Sequence, residues 1–530
     1  MFVLDALDAV AAAASLTLRF ASVIFVRFHP IGKKYLSQIL GGFTTYLLSA
    51  FLQLCLIRTF STKRGHARAL PALLGRVDPS KPKSSLAGCV INLLCLAAVG
   101  DFLFRGHMLH QSKSLSFSRI GYVDSNSARI VVRAPFQEYA QITATPVSAP
   151  GNAVQATIPI QEQSDYTATF VLEGLESGTE YAYRTNASHT GVFSTMADPS
   201  KASKRWSMIA TSCIKPFYPY NPLDHGLRIK GLEYVDNYLS SHAAEFMLFL
   251  GDFIYIDLPV ALGWDATAYA TAYRQVYASP SWTPRLRNLP WLHVYDDHEI
   301  INDWAGNETG LYKTAMLPYW GYQGLANPPS DARETTHYVL QHGDISFFVL
   351  DTRRYRSDNN LPDGPDKTML GQNQLQELLQ WMGNGKEWKV VVSSVPFTRN
   401  WRGPDAADSW SGYLWERDLI LDEMKKKGVS LILSGDRHEH ATTLFPATIP
   451  GEQSVIEFST SPLNQFFEPF SRHHREIEKT DISIHSHPWG TSKFGVVTFD
   501  TSKQDTLDVF YNLIVDGQET WNHTWTSHQV

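Results

Sequence analysis

The sequence predicts an α/β core preceded by a small β-sandwich and an N-terminal membrane region. Three observations carry that prediction. Two long charge-free runs lie within the first 104 residues, short strands of alternating polarity fill residues 115–200, and from Trp206 onward apolar strands end in polar clusters. A chain of 530 residues is more than one core usually holds, so several parts are expected. Its 46 basic and 52 acidic side chains and an apolar fraction of 44% exclude wholesale disorder and a basic nucleic-acid binder. The charge is uneven: residues 1–110 carry 12 basic and four acidic side chains, net +8, and the remainder is net −14. Cys213 is the one cysteine after residue 110, which forbids a disulfide within that part.

The membrane region, residues 1–110, holds two or three hydrophobic spans. Tyr35 to Ile57 is 23 residues without a charge, enough at about 1.5 Å per residue to cross a hydrocarbon core of about 30 Å. Ser84 to Gly100 is a second run, extended past Asp101 by Phe102, Leu103 and Phe104, so the spans are placed at 35–57 and 84–104. Val10 to Val26 carries Arg19 and follows Asp8, and a third span (10–26), an interfacial helix and a signal-like segment all fit it. A buried helical hairpin in a soluble protein is the alternative, disfavoured because two such runs so close together are uncommon there. Arg58, Lys63, Arg64, Arg68, Arg76, Lys81 and Lys83, opposed by Asp78, mark a cytoplasmic loop. The protein is therefore expected to be a multi-pass membrane protein whose later part is extracytoplasmic, lumenal or at the cell surface. Sequons at Asn186, Asn307 and Asn522 permit that placement.

Residues 111–202 are expected to form the β-sandwich, with strands at 127–133, 139–145, 156–160, 166–172 and 180–184. The stretch Gly174-Leu-Glu-Ser-Gly-Thr-Glu-Tyr181 resembles the L-x-P-G-T-x-Y turn of fibronectin type III domains, with Ser177 in the proline position. That likeness implies a tyrosine corner at Tyr181. The stretch carries no chemistry of its own, so a packing scaffold is the expected role, with partner or lid contact as the alternative.

In residues 203–530 the strands at 207–211, 245–250, 291–295, 345–350, 389–392 and 430–433 run into Ser212-Cys213, Gly251-Asp252, Asp296-Asp297-His298-Glu299, Asp351-Thr352-Arg353, Ser393-Ser394 and Gly435-Asp436-Arg437-His438. Helical spacing follows at Ile229, Leu232, Val235 and Leu239 and again at Leu375, Leu378 and Leu379. This grammar is an α/β core with ligand groups collected beyond strand C-termini. Each cluster alone is weak. Carboxylates converging on one point, however, cannot pack unneutralised, and a polynuclear metal site relieves that repulsion.

The ordered set Cys213, G-D-x-x-Y at 251–255, D-D-H-E at 296–299, D-T-R at 351–353 and S-G-D-x-H at 434–438 resembles the PhoD-type alkaline phosphatases and phosphodiesterases of the calcineurin-like metallophosphoesterase superfamily. The resemblance runs over residues 115–515. It implies an α/β metallophosphoesterase sandwich, two β-sheets flanked by helices, and hydrolysis of phosphate mono- or diesters by a metal-bound hydroxide. Implied metal ligands are Cys213, Asp252, Tyr255, Asp297, Asp436 and His438, with Asp252 bridging and Cys213 a thiolate. Implied cofactors are two or more metal ions, Fe3+ and Ca2+. Ser394 stands where most superfamily members have a metal-binding His, and Asp436 replaces the first His of G-H-x-H. Oxygen in place of imidazole also favours a hard cation. His298 is expected to protonate the leaving group or orient the phosphate.

Arg353 is the preferred bidentate phosphate contact, ahead of Arg354, Arg356 and Arg437. Asn302 and Asp303 either bind a further ion or cap a helix. Residues 466–489, rich in His and aromatics, read as a lid or, more commonly for such a stretch, a solvated helix and loop. No P-loop and no G-x-S-x-G elbow occur. The expected partners are a phosphoester substrate and the membrane, with no nucleic acid. The rival is a non-catalytic membrane-anchored receptor or interaction module that kept the fold, against which the retention of Asp252 and His298 argues.

Overall fold

The computed structural model describes residues 2–60, 73–78, 81–149, 151–198, 201–330, 335–402, 404–465, 474–476 and 479–529. Three N-terminal helices, α1 (Phe2–Arg27), α2 (Gly32–Phe60) and α3 (Pro82–Leu109), are each long and apolar enough to cross a membrane. Phe20, Leu48, Phe51, Leu86 and Leu94 project outward from them, an apolar surface too large to suit water. Arg19, the residue that left α1 open in the sequence, points between the helices. Its Nε donates to Asn92 Oδ1 at 2.7 Å and its Nη2 to the Leu73 and Gly88 carbonyls, while Asn92 donates to Ser15. A charge among helices is tolerable when its donors are met in this way. Arg76 lies 3.4 Å from Asp8, so residues 73–78 sit near the opposite end of α1 from the α1–α2 turn. Lys63, Arg64 and Arg68 of the expected basic loop lie outside the described residues.

The helices share a hydrophobic core with a segment farther along the chain. Phe25, Val26, Val99 and Phe102 pack with Phe217, Tyr218 and Tyr220. Arg27 donates to the Tyr220 carbonyl at 2.5 Å, and the Tyr220 hydroxyl donates to Asp101, itself paired with Arg105.

Two antiparallel sheets come next. One orders as β1 (Phe117–Val123), β2 (Ser127–Arg133) and β5 (Thr167–Glu173). The other orders as β4 (Val154–Pro159), β3 (Tyr139–Pro146), β6 (Glu180–Thr185) and β7 (Thr190–Ser194). Inward residues such as Ile130, Ile142, Phe170 and Tyr183 fill the space between them. The Tyr181 hydroxyl accepts from the Glu176 backbone N–H at 2.9 Å, the local contact expected of a tyrosine corner. β1 and β7 are strands that the alternation did not flag. β1 is buried at six of its seven positions because it packs on the later core as well, which erases the two-residue period.

The remaining chain forms two mixed sheets. The first orders as β10 (Trp291–Val294), β9 (Met247–Leu250), β8 (Arg205–Thr211), β18 (Lys493–Asp500), β19 (Thr506–Val515) and β20 (Gln518–His528), with β8, β9 and β10 parallel. The second orders as β11 (Tyr338–His342), β12 (Ile345–Val349), β13 (Trp388–Val392), β14 (Leu431–Ser434), β16 (Val455–Thr460), β15 (His440–Phe445) and β17 (Ile482–His487), parallel from β12 through β16 in spatial order. Their facing sides, including Met208, Leu248, Val294, Phe347, Val390, Leu433 and Val497, make one core. Helices cover the outer faces: α4 (Lys230–Leu239), α5 (Ala266–Tyr277) and α6 (Tyr312–Tyr322) on the first sheet, α7 (Gly371–Gly383) and α8 (Leu414–Lys427) on the second. Parallel strands covered on both faces read as unbroken apolar runs, as these do.

The solvated helix expected within 466–489 is corrected in part. Ile482–His487 is an edge strand paired with β15, and His485 stacks on Trp521 at 4.4 Å. Residues 466–473 and 477–478, with His473 and Arg472 among them, lie outside the described residues.

Asp165 ties the seven-stranded sandwich to the later core. Its carboxylate accepts from Arg133 at 3.1 Å, from Arg274 of α5 at 2.7 Å, and from the Tyr322 hydroxyl at the end of α6. Burial opposes the charge, but the hydrogen bonds from Arg133 and Tyr322 and the Arg274 charge outweigh it and hold the carboxyl below its ordinary value. Asp165→Asn leaves two buried guanidiniums without their counter-charge. We expect it to lower unfolding stability on the order of 3 kcal/mol, read in thermal or denaturant unfolding in detergent. Because the native value is depressed, the contribution is complete above the ordinary carboxylate range and is lost as pH falls through the native value, so wild type and variant should converge in acid.

Candidate metal centre

The three parallel strands β8, β9 and β10 end at one edge, and β12, β13 and β14 end facing them, so six loops meet in one place. Gly251 opens the second of these loops. Its φ is +101°, and a Cβ there would sit 2.6 Å from the Asp296 Cβ, so glycine is needed on both counts. Backbone strain then concentrates at the meeting point. Cys213, Asp252, Asp436 and His438 all have left-handed φ, between +56° and +75°, a clustering typical of sites whose geometry the surrounding structure imposes.

All six expected ligands converge there. Ligand atoms of Cys213, Asp252 and His438 lie within 4.8 Å of one another, as do those of Asp252, Asp297 and His298 and those of Asp252, Asp296 and Asp436. Asp252 belongs to all three groups. Tyr255 donates from its hydroxyl to Asp252 Oδ2 at 2.8 Å, and the Tyr255 hydroxyl oxygen is 3.0 Å from His438 Nε2. Cys213 Sγ is 3.5 Å from Asp252 Oδ2 and 3.0 Å from the Ser212 hydroxyl.

The electrostatics call for a cation. Burial, with Asp297 and Asp296 adding to it against His298, pushes Asp252 well above the carboxylate range, and burial with Asp296 and Asp297 does the same to Asp436 against Arg437. The Cys213 thiol is raised by burial and then by Asp252 and Asp436. The Tyr255 phenol is raised by burial, Asp252 and Cys213. Asp296 Oδ2, Asp297 Oδ1 and Asp436 Oδ2 are buried with no hydrogen-bond partner. Buried oxygens left unsatisfied beside a thiol and a phenol fit metal ions, whose binding deprotonates such ligands.

His298 sits between two carboxylate sets. Its Nδ1 is 2.6 Å from Asp257 Oδ1, and its ring centroid is 4.1 Å from that of Tyr255. Burial opposes its charge, but Asp257, Asp297 and Asp252 together hold the imidazole well above its ordinary value.

Arg353 departs from expectation. It is fully buried, its Nε donates to Asp296 at 2.5 Å, and its two Nη atoms donate to the two oxygens of Asp408 at 2.7 and 2.8 Å. That fork is taken, so Arg353 is placed as a counter-charge behind the ligands rather than as an open phosphate contact. Ser394, at the position where an imidazole was the common alternative, donates to Asp296 Oδ1 at 2.8 Å. The Asp303 backbone N–H caps Asp297, and the Asp303 carboxylate groups with Asp297 and Asp408. A cavity of about 980 Å³ opens in front of the centre, lined by Asp252, Asp297, His298, Asp436, Arg437 and His438 among others.

Several contributors escaped the sequence reading. Asp296 was visible within D-D-H-E but given no role. Asp257, two residues after Tyr255, could have been suspected from that spacing. Asp408 arrives from a short turn far along the chain, and no local pattern marks it. Glu299 is the hidden organiser: its carboxylate accepts from the backbone N–H groups of Asp252 (3.0 Å), Phe253 (2.6 Å) and Asp296 (2.8 Å), joining two ligand loops.

Residues 232–508 match the family model of the PhoD-like phosphatases. Alkaline phosphatase D of Bacillus subtilis is 26% identical over 318 residues, and the match spans about half of each protein, 50% of this chain and 52% of that one. A solved structure of PhoD superposes with a TM-score of 0.60 at 17% identity, covering 77% of this chain and 88% of its own. A purple acid phosphatase from yellow lupin seeds superposes at 0.54 and 13% identity, covering 78% and 74%. At these identities the two structures speak for the fold alone.

Glu299→Ala removes the acceptor for three backbone donors without touching a candidate ligand. Loss of such an outer support costs about 10- to 100-fold in metal affinity. Metal analysis of the purified variant should therefore show at most half the wild-type content after dialysis against a mild chelator.

Proposed function

This chain belongs to the PhoD-like phosphatase family, and from that premise we propose that it is a membrane-anchored metallophosphoesterase that hydrolyses phosphate mono- or diesters. The observation that carries the reading is the sharing of Asp252 among three overlapping donor groups, the arrangement a bridging carboxylate requires.

In this reading Cys213, Asp252, Tyr255 and His438 hold one ion, and the thiolate and phenolate suit ferric iron. Asp252, Asp297 and Asp436, with Asp296 beside them, hold a harder ion such as calcium. When bound, the ions supply Lewis-acid activation of water and neutralise phosphoryl charge. His298, oriented through Nδ1 by Asp257, presents Nε2 to the cavity and gives a proton to the leaving oxygen. Arg353 holds Asp296 and Asp297 from behind, and Arg437, which lines the cavity, takes the phosphate-facing role instead. Glu299 keeps the loops in register.

Residues 111–202 and 203–530 act as two domains, the first a fibronectin-like scaffold clamped through Asp165. The three helices span the bilayer. The seven basic residues between Arg58 and Lys83 outnumber Arg27, Lys33 and Lys34 near the α1–α2 turn, so the α2–α3 connection is cytoplasmic and the catalytic part lies on the other side.

The test uses the full chain in detergent with an aryl phosphate and its diester, with and without added iron and calcium. Asp252→Ala should abolish turnover, and His298→Gln should lower kcat by about 10²- to 10⁴-fold. Iron-loaded wild type should also show a visible charge-transfer band that weakens in Tyr255→Phe. Metal-replete wild type no faster than Asp252→Ala would leave the receptor reading in its place.

A further inference from the structure

The cavity in front of the metal centre is not walled by the catalytic fold alone. His29, Ile31, Gly32, Lys33 and Lys34, from the α1–α2 turn and the first turn of α2, line it together with Asp297, His298 and Asp436. The turn is pressed onto the loop that follows Tyr255. The Gly32 N–H donates to the Pro259 carbonyl at 2.9 Å, and a Cβ on Gly32 would come within 2.4 Å of Val260 Cγ1 and 2.5 Å of that carbonyl. Any other residue there would lever the helices away from the site.

The same loop leads to apolar surface. A second cavity, about 380 Å³, lies between the C-terminal end of α3 and this loop, lined by Phe102, Leu103, Phe217 and Leu262. Leu258, Pro259 and Val260 line both cavities, so one loop borders the metal-side cavity and the cavity beside α3. Leu262 and Trp264 on that loop remain 46% and 39% exposed, as residues seated at a membrane interface would be. Lys33 and Lys34, both exposed, stand on the catalytic side of the bundle, where the positive-inside rule does not place lysines. At the cavity rim they have another use.

We propose that the substrate is the phosphoester headgroup of a membrane lipid, cleaved at the bilayer surface. Lys33 and Lys34 gather its phosphate, and the Leu258–Val260 loop, with Leu262 and Trp264 beyond it, receives its apolar part. The proposal rests on the hydrolase reading above and adds the substrate class to it. Ends of α1, α2 and α3 meet the catalytic part at one level, so a headgroup in that leaflet reaches the cavity without leaving the bilayer. The step is hydrolysis: water's oxygen forms the new P–O bond, the ester P–O bond breaks, the leaving alkoxide takes its proton from His298, and the proton released by water passes to solvent, from which the imidazole is protonated again.

The test compares each lipid with its deacylated counterpart on the full chain. Dioleoyl phosphatidic acid and dioleoyl phosphatidylglycerol in dodecyl maltoside micelles are set against glycerol phosphate and glycerophosphoglycerol, with an aryl phosphate and its diester as soluble references. We expect at least one lipid to exceed its deacylated counterpart by tenfold or more in kcat/KM. Lys33→Gln/Lys34→Gln should lower that ratio at least fivefold, through KM at the micelle surface, since each basic residue near an anionic surface is worth about fivefold. Leu262→Glu, on the exposed apolar part of that loop, should lower it as well. Turnover of aryl or deacylated substrates with no preference for lipid, or variants that lower all substrates equally, would overturn the proposal and leave the hydrolase reading standing. No turnover of any substrate would overturn both.

Discussion

Negative charge crowded and largely buried around one cavity is the constraint around which this structure is arranged. Asp252, Asp257, Asp296, Asp297, Glu299, Asp408 and Asp436 crowd the ends of six strands, and each must be compensated or neutralised. The protein compensates some of them itself. Glu299 takes three backbone N–H groups, Asp257 takes His298 and the Asn302 N–H, and Asp408 takes Arg353, Arg356 and Asn359. Burial opposes the charge on Asp408, yet the two guanidiniums bring its carboxyl down to about 2. Asp252, Asp297 and Asp436 are treated differently: Asp297 Oδ1 and Asp436 Oδ2 have no hydrogen-bond partner, and Asp252 is shared by three donor groups. The first class is compensated by the protein, and the second is the charge a cation would neutralise.

That division explains what could be read from the chain and what could not. The convergence of the six candidate ligands was legible because each follows an apolar strand in a short ordered motif, and parallel strands bring such ends together. The supporting shell was illegible because its members are defined by what they touch across the fold. Glu299 sits inside a recognisable motif, yet its work is done through backbone groups 46 and 47 residues away in sequence. Arg353 was legible as a guanidinium beyond a strand, but Asp408, which occupies its fork, carries no mark in the sequence. At the level of elements the same logic holds. β2 and β3 alternate and were found. β1 was missed because two cores bury both of its faces, and β17 because a strand completing a sheet edge need not alternate cleanly. In α1, Arg19 obscured a helix whose interior position becomes clear only once Asn92 of α3 is beside it.

The three N-terminal helices and the two-sheet core are one packed body. Phe102 of α3 lies against Phe217, Tyr218 and Tyr220, and those residues belong to the segment that leaves Cys213. The position of a candidate ligand and the position of a helix end are therefore fixed by one cluster. Helices joined to the core by a free linker would have no such coupling.

Cys213 carries a last consequence. A lone thiol that meets oxidants is open to disulfide exchange and to progression to sulfenic and sulfinic acids. Here the sulfur is wholly buried, and the other cysteines, Cys55, Cys89 and Cys95, all lie in the helices. Exchange requires an attacking thiolate to reach the sulfur in line, and the closed packing of Ser212, Asp252 and the Asp436 carbonyl around it leaves no such approach. Steric seclusion thus keeps the sulfur reduced without a reductant to maintain it.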